Sequence, residues 1–144
     1  MRKICVIGTG YVGLVSGAGL ADFGNSVICT DIDQSKIDML NRGEMPIYEP
    51  GLKELVDRNV ATHRLSFSAD IDTAVQNAEV IFIAVGTPMG NNGEADLRAV
   101  EAVATTIAKN LNSYKIICTK STVPVGTGAR LEKIIFQERL NETA

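Results

Sequence analysis

Short apolar runs alternate with segments of helical period along the whole chain, and the breaks between them carry glycine, asparagine, aspartate or proline. Lys3 to Ile7 reads as a first strand, Tyr11 to Phe23 as a helix closed by Gly24-Asn25, and Val27 to Thr30 as a second strand that ends on Asp31. Asp33 to Asn41 reads as a helix stopped by Gly43, and Leu52 to Asn59 as another. Leu65 to Ser68 is a short third strand. Asp70 to Asn77 is a helix with Asp70 as its N-cap. Val80 to Val85 is unbroken in its apolar character, the mark of a central parallel strand covered on both faces. A helix over Leu97 to Leu111, a fifth strand over Lys115 to Cys118 and a last helix over Thr127 to Arg139 complete the pattern. Pro46 and Pro50 each fix their own φ, so the connection between Glu44 and Gly51 is a shaped loop rather than a floppy linker.

Strands alternating with helices predict an α/β fold, a doubly wound parallel sheet of the Rossmann type in three layers. Residues 1–144 form a single domain in this reading, long enough to bury roughly 70% of the surface of the unfolded chain. Five strands are predicted, whereas the common dinucleotide-binding sheet has six in the order 3-2-1-4-5-6. The expectation is therefore a sheet lacking its sixth strand, in a fragment of a longer protein, with a natural five-stranded domain as the alternative; in a fragment, strand five is an unprotected edge open to self-association.

The candidate chemistry begins at Gly8-Thr9-Gly10-Tyr11-Val12-Gly13, which follows a buried strand and opens a helix. In this pattern Gly8 permits the tight turn, Gly10 lets the main chain approach a pyrophosphate, and Gly13 lets the helix pack on the sheet. The helix then aims its N–H groups and positive dipole end at the phosphates. Asp31, at a strand end, is placed to accept hydrogen bonds from both hydroxyls of an adenosine ribose and to repel a 2′-phosphate. The expected cofactor is NAD rather than NADP. Asp33 adds a second negative charge nearby, and no arginine directly follows Asp31. Lys36 lies within reach of the adenosine side, although its position equally fits a solvated surface lysine. Val85, Gly86 and Thr87 end the central strand and border the expected pocket. Ser121 and Thr122 lie in the loop after strand five, where their hydroxyls fit either a ligand or an ordinary turn, as Thr127 fits an N-cap.

Charge and composition narrow the partners. Fourteen Lys plus Arg against seventeen Asp plus Glu give a net charge of -3 with no basic stripe, which argues against nucleic acid. No apolar stretch reaches the roughly 20 residues of a membrane span, and the chain reads as cytoplasmic. Cys5, Cys29 and Cys118 lie in strands that look buried, without CxxC spacing, so neither a disulfide nor a metal site is expected. His63 stands alone in a polar stretch and reads as a solvated loop residue. Hydride transfer requires a positioned base or nucleophile, and no pairing here supplies one.

Gly8 to Gly13, Asp31 with Lys36, Pro46-Ile47-Tyr48-Glu49-Pro50-Gly51-Leu52, Val85-Gly86-Thr87-Pro88 and Lys120 to Thr127 together resemble the UDP-glucose 6-dehydrogenase family, in the right order and over essentially the whole chain. The resemblance implies an NAD-dependent enzyme that oxidises UDP-glucose to UDP-glucuronate with two NAD and one water, through a thioester on a cysteine. It implies NAD contacts from Gly8 to Gly13, Asp31, Lys36, Thr87 and Thr122, and a supporting catalytic role for Thr122 in holding the water. The family's nucleophilic cysteine has a GxCxxxD-like setting that none of the three cysteines here reproduces, so this chain alone is expected to bind NAD without turnover. UDP-glucose would bind only with a further domain, and the parent is expected to be a homo-oligomer. A GDP-mannose or UDP-N-acetylmannosamine dehydrogenase, or a non-catalytic NAD-sensing module, are the alternatives.

Overall fold

The structure, a computed structural model, describes residues 1–86, 96–120 and 126–143, the side chains of 141–143 excepted. Strands β1 (Lys3–Ile7), β2 (Ser26–Thr30), β3 (Leu65–Ser68), β4 (Val80–Ile83) and β5 (Ile116–Thr119) form one sheet in the order β3-β2-β1-β4-β5. Every pair is parallel. Helices α1 (Tyr11–Asp22), α2 (Gln34–Asn41), α3 (Leu52–Ala61), α4 (Ile71–Asn77), α5 (Arg98–Lys109) and α6 (Thr127–Thr143) supply the crossovers and the outer layers. The predicted doubly wound α/β sheet is what forms.

Alternation along the strands splits the core in two. Ile4, Val6, Val27, Cys29, Leu65 and Phe67 face α1, α2 and α3, which contribute Leu14, Ala18, Ile37 and Val56. Cys5, Ile7, Ile81 and Ile83 point the other way, into Val75 of α4, Val100, Ala104 and Ile107 of α5, and Leu131 of α6. At roughly 25 cal/mol per Å² of apolar area removed from water, these two layers are the main stabilising contribution. Short polar devices set the helix starts: Asp33 accepts from the Ser35 N–H at 3.0 Å, and Asp70 accepts from the Thr73 N–H at 3.2 Å and its hydroxyl at 2.7 Å.

Several boundaries differ from expectation. β4 ends at Ile83 rather than Val85, because its neighbour β1 ends at Ile7, the residue paired with Ile83. β5 runs one residue later than predicted, since its register sets Ile116 beside Val80 and Thr119 beside Ile83. α6 continues past Arg139 to Thr143. The apolar run of β4 is not covered equally on both faces: Val80 and Phe82 are half-buried, because α1 lies over β1 to β3 with α3 beside it over β3. For the same reason Cys118, paired with Phe82, is half-buried, whereas Cys5 and Cys29 are fully buried.

Candidate dinucleotide site

Register alone assembles the site. Ile7 pairs with Thr30 and with Ile83, and Ile83 pairs with Thr119, so Gly8, Asp31, Ala84 and Lys120 each leave the sheet at the same, carboxyl-terminal edge. The gap between β1 and β4, whose chains run off to opposite faces, is where open α/β sheets take ligands. The ladder reaches one step beyond the strands: the Gly8 N–H donates to the Thr30 carbonyl at 2.8 Å, and the Ala84 N–H donates to the Ile7 carbonyl at 2.8 Å. A cavity of about 500 Å³ opens there.

Gly8 has φ +114°, and a Cβ on it would stand 2.5 Å from the Ala84 carbonyl oxygen. Only glycine allows that turn and that approach together. A Cβ on Gly13 would overlap the Gly8 carbonyl oxygen, so Gly13 lies beneath the turn and lets α1 pack directly on it. Gly10 differs from both, since a Cβ there would meet nothing within 4 Å. It borders the cavity with Tyr11 and Val12 at the start of α1, and no side chain among the described residues caps this helix. Uncapped N–H groups and a positive helix end facing an open cavity suit an anionic group, as a pyrophosphate requires.

Asp31 is tied in from inside the protein. Its Oδ2 accepts from the Thr9 N–H at 2.9 Å and from the Thr9 hydroxyl at 2.7 Å, while its Oδ1 accepts from the Asp33 N–H at 3.0 Å. Burial alone pushes this carboxyl upward. The Asp33 N–H, the two Thr9 donors and the charge of Lys36 outweigh burial and hold it below the usual carboxylate range. It is therefore an anion at neutral pH.

The structure brings together Gly8, Gly10, Tyr11, Val12, Asp31, Lys36, Val85 and Gly86 around the one cavity. Gly13 supports it from below. Thr87, Ser121 and Thr122 lie outside the described residues. Ile32, Ala99 and Lys120, to which sequence reasoning gave no role, and Thr9, included only as part of the Gly8 to Gly13 run, also line the cavity. Lys120 had a usable signal, its place directly after strand five. Thr9 had none, because the position between two glycines accepts many side chains. Ile32 is 89% exposed beside Asp31 and offers an apolar surface at that end of the cavity. Among the described residues no cluster of His, Cys, Asp and Glu could hold a metal ion, and no helix is long and apolar enough to cross a membrane.

Comparison with known proteins agrees with this geometry. Residues 2–144 match the model of the UDP-glucose/GDP-mannose dehydrogenase family, NAD binding domain. The chain is 58% identical over 135 residues to the UDP-glucose 6-dehydrogenase TuaD of Bacillus subtilis, covering 94% of this chain and 29% of that protein. A UDP-glucose dehydrogenase from the archaeon Pyrobaculum islandicum superposes with a TM-score of 0.92 at 38% identity, covering 96% of this chain and 33% of that one. A GDP-mannose dehydrogenase from Pseudomonas aeruginosa superposes with a TM-score of 0.91 at 36% identity, over 95% and 32% of the two chains. The chain thus spans about a third of the length of such relatives. On sequence and fold together, it belongs to the UDP-glucose/GDP-mannose dehydrogenase family, whose NAD-binding domain it forms.

Proposed function

We propose that this chain is the cofactor-holding part of a UDP-glucose 6-dehydrogenase, an enzyme that oxidises the C6 alcohol of UDP-glucose in two steps to UDP-glucuronate. The observation that carries the choice of sugar nucleotide is the 58% identity to a UDP-glucose 6-dehydrogenase. Backbone likeness is neutral here, since a UDP-glucose and a GDP-mannose dehydrogenase superpose almost equally well.

When bound, NAD supplies the hydride acceptor for alcohol oxidation. The residues of this chain hold and orient it. The N–H groups of Gly10, Tyr11 and Val12 receive the pyrophosphate at the start of α1. Asp31 receives the adenosine ribose, Ile32 lies against the adenine side, and Lys36 adds a cation to that end. Val85 and Gly86, just past the end of β4, lie across the switch point and are assigned to the nicotinamide half; Thr87 and Ser121 are assigned NAD contacts as well. Thr122 is assigned the supporting catalytic role of holding water near the reacting carbon. The thioester-forming cysteine is assigned to the remainder of the enzyme: none of the three cysteines here stands in the GxCxxxD-like setting, and Cys5 and Cys29 are also buried in the core with thiols pushed up to about 12 by desolvation, unsuited to nucleophilic attack.

The test is NAD reduction by the longer protein that contains this chain, offered UDP-glucose, GDP-mannose and UDP-N-acetylmannosamine in turn. UDP-glucose is expected to give the highest kcat/KM, with two NADH formed per sugar. A tenfold preference for another sugar nucleotide would reassign the substrate, and no turnover of any of the three would favour an NAD-sensing module. Asp31→Ala in the same protein is expected to raise the KM for NAD about tenfold or more, as loss of a hydrogen bond to a charged group predicts.

A further inference from the structure

Thr9 sits inside the glycine turn, between two residues that border the cavity, yet it is fully buried. Its polar groups therefore have to be satisfied within the protein, and both N–H and hydroxyl go to a single atom, Oδ2 of Asp31, at 2.9 and 2.7 Å. The other oxygen, Oδ1, accepts from the Asp33 N–H at 3.0 Å. A carboxylate offers about four acceptor positions. Among the described residues three are filled from inside, and the one left open is on Oδ1.

We propose that Thr9 is a positioning residue for cofactor choice: it clamps the Asp31 carboxylate so that a single open acceptor position on Oδ1 receives a ribose hydroxyl and the fixed charge repels a 2′-phosphate. The proposal rests on the reading of Asp31 as the ribose-binding residue. It also sharpens that reading, because the clamp leaves room for one strong hydrogen bond to the ribose where the unclamped side chain would accept two. The turn that meets the pyrophosphate and the acid that meets the ribose are thereby one unit, joined through Thr9. The clamp works through a hydroxyl: a methyl group in its place cannot stand 2.7 Å from Oδ2, so valine, although of the same shape, would push the carboxylate out of position.

The experiment is a titration of the 144-residue chain with NADH and with NADPH, followed by nicotinamide fluorescence, for the unaltered protein, Thr9→Val and Thr9→Ser. Thr9→Val is expected to weaken NADH about tenfold and to narrow the NADH-over-NADPH preference by a similar factor. Thr9→Ser, which keeps the hydroxyl, is expected to stay within about threefold of the unaltered chain in both. On an Asp31→Ala background Thr9→Val is expected to change neither affinity further, since Thr9 acts only through Asp31. An unchanged preference in Thr9→Val, a Ser variant as weak as Val, or an additive effect on the Asp31→Ala background would overturn the proposal while leaving the site intact. Should Thr9→Val not fold, Thr9→Ala takes its place with the same expectations. No saturable NADH binding by the unaltered chain would instead overturn the reading of the site on which the proposal stands.

Discussion

Asp31 is one of several aspartates whose charge the fold supports. Asp22 is held below the usual carboxylate range by hydrogen bonds from Arg58 and Asn59, Asp33 by Ser35, and Asp70 by Thr73, while Arg98 lowers Asp96 to about 2. Each has a lower pKa folded than unfolded, so at acid pH the unfolded chain takes up protons first. Stability is therefore complete above the ordinary aspartate value near 4 and is lost as pH falls from there towards about 2. Urea midpoints are expected to hold between pH 7 and 5 and to drop below pH 4, and a midpoint that rises on acidification would contradict this. His63 gives a second residue-level test. It occupies the left-handed region at φ +61°, where the His63 N–H meets the Val60 carbonyl and the Arg64 N–H meets the Asn59 carbonyl, both at 3.0 Å, closing α3 as a glycine usually does. His63→Gly is expected to stabilise the fold by about 0.5–1 kcal/mol, the left-handed strain removed less the added freedom of the unfolded chain, read as a higher urea midpoint. The places of Gly8, Gly13 and Asp31 were legible in the sequence, because the tight turn and the close packing admit only glycine and the acid directly follows a strand. The tie between Thr9 and Asp31 was not, because it arises only when register sets the two side by side.

Elements were legible where an apolar run and its stop signal coincide, as in β1 with Gly8 or α4 with Asp70. They were less so where a neighbour decides. β4 stops when β1 stops, and β5 starts where β4 gives it a partner, neither of which a single run of residues records. Lys115 shows the same dependence: read as the start of strand five, it instead donates from its Nζ to the Ala78 carbonyl at 2.6 Å and the Gln76 carbonyl at 3.1 Å, tying the end of α4 to the approach to β5. Coverage is likewise a property of several elements. All three cysteine-bearing strands look alike in sequence, yet Cys118 lies under a half-covered part of the sheet while Cys5 and Cys29 lie in full cores. Native-state alkylation is expected to modify Cys118 quickly and the other two only after denaturation. Mass spectrometry of the modified chain checks this, and rapid labelling of Cys29 would show that the α1 layer is looser than its packing implies.

At the scale of the whole molecule, the alternating pattern sufficed for the α/β class and the parallel sheet. It could not show that α1, α2 and α3 crowd over β1 to β3 and leave β4 and β5 partly bare on that face, since helix placement across a sheet depends on crossover direction and packing. Membership of the UDP-glucose/GDP-mannose dehydrogenase family and the five-stranded fold agree on an NAD-binding domain. In the proposed function, the cradle at the start of α1 and Asp31 hold the two ends of the adenosine diphosphate. A crystal structure of the 144-residue chain grown with NAD tests it most directly. Pyrophosphate oxygens are expected within hydrogen-bond distance of the N–H groups at the start of α1, and a ribose hydroxyl on Oδ1 of Asp31 with the Thr9 clamp still closed. NAD bound elsewhere on the sheet, or in this cavity with its ribose turned away from Asp31, would contradict it.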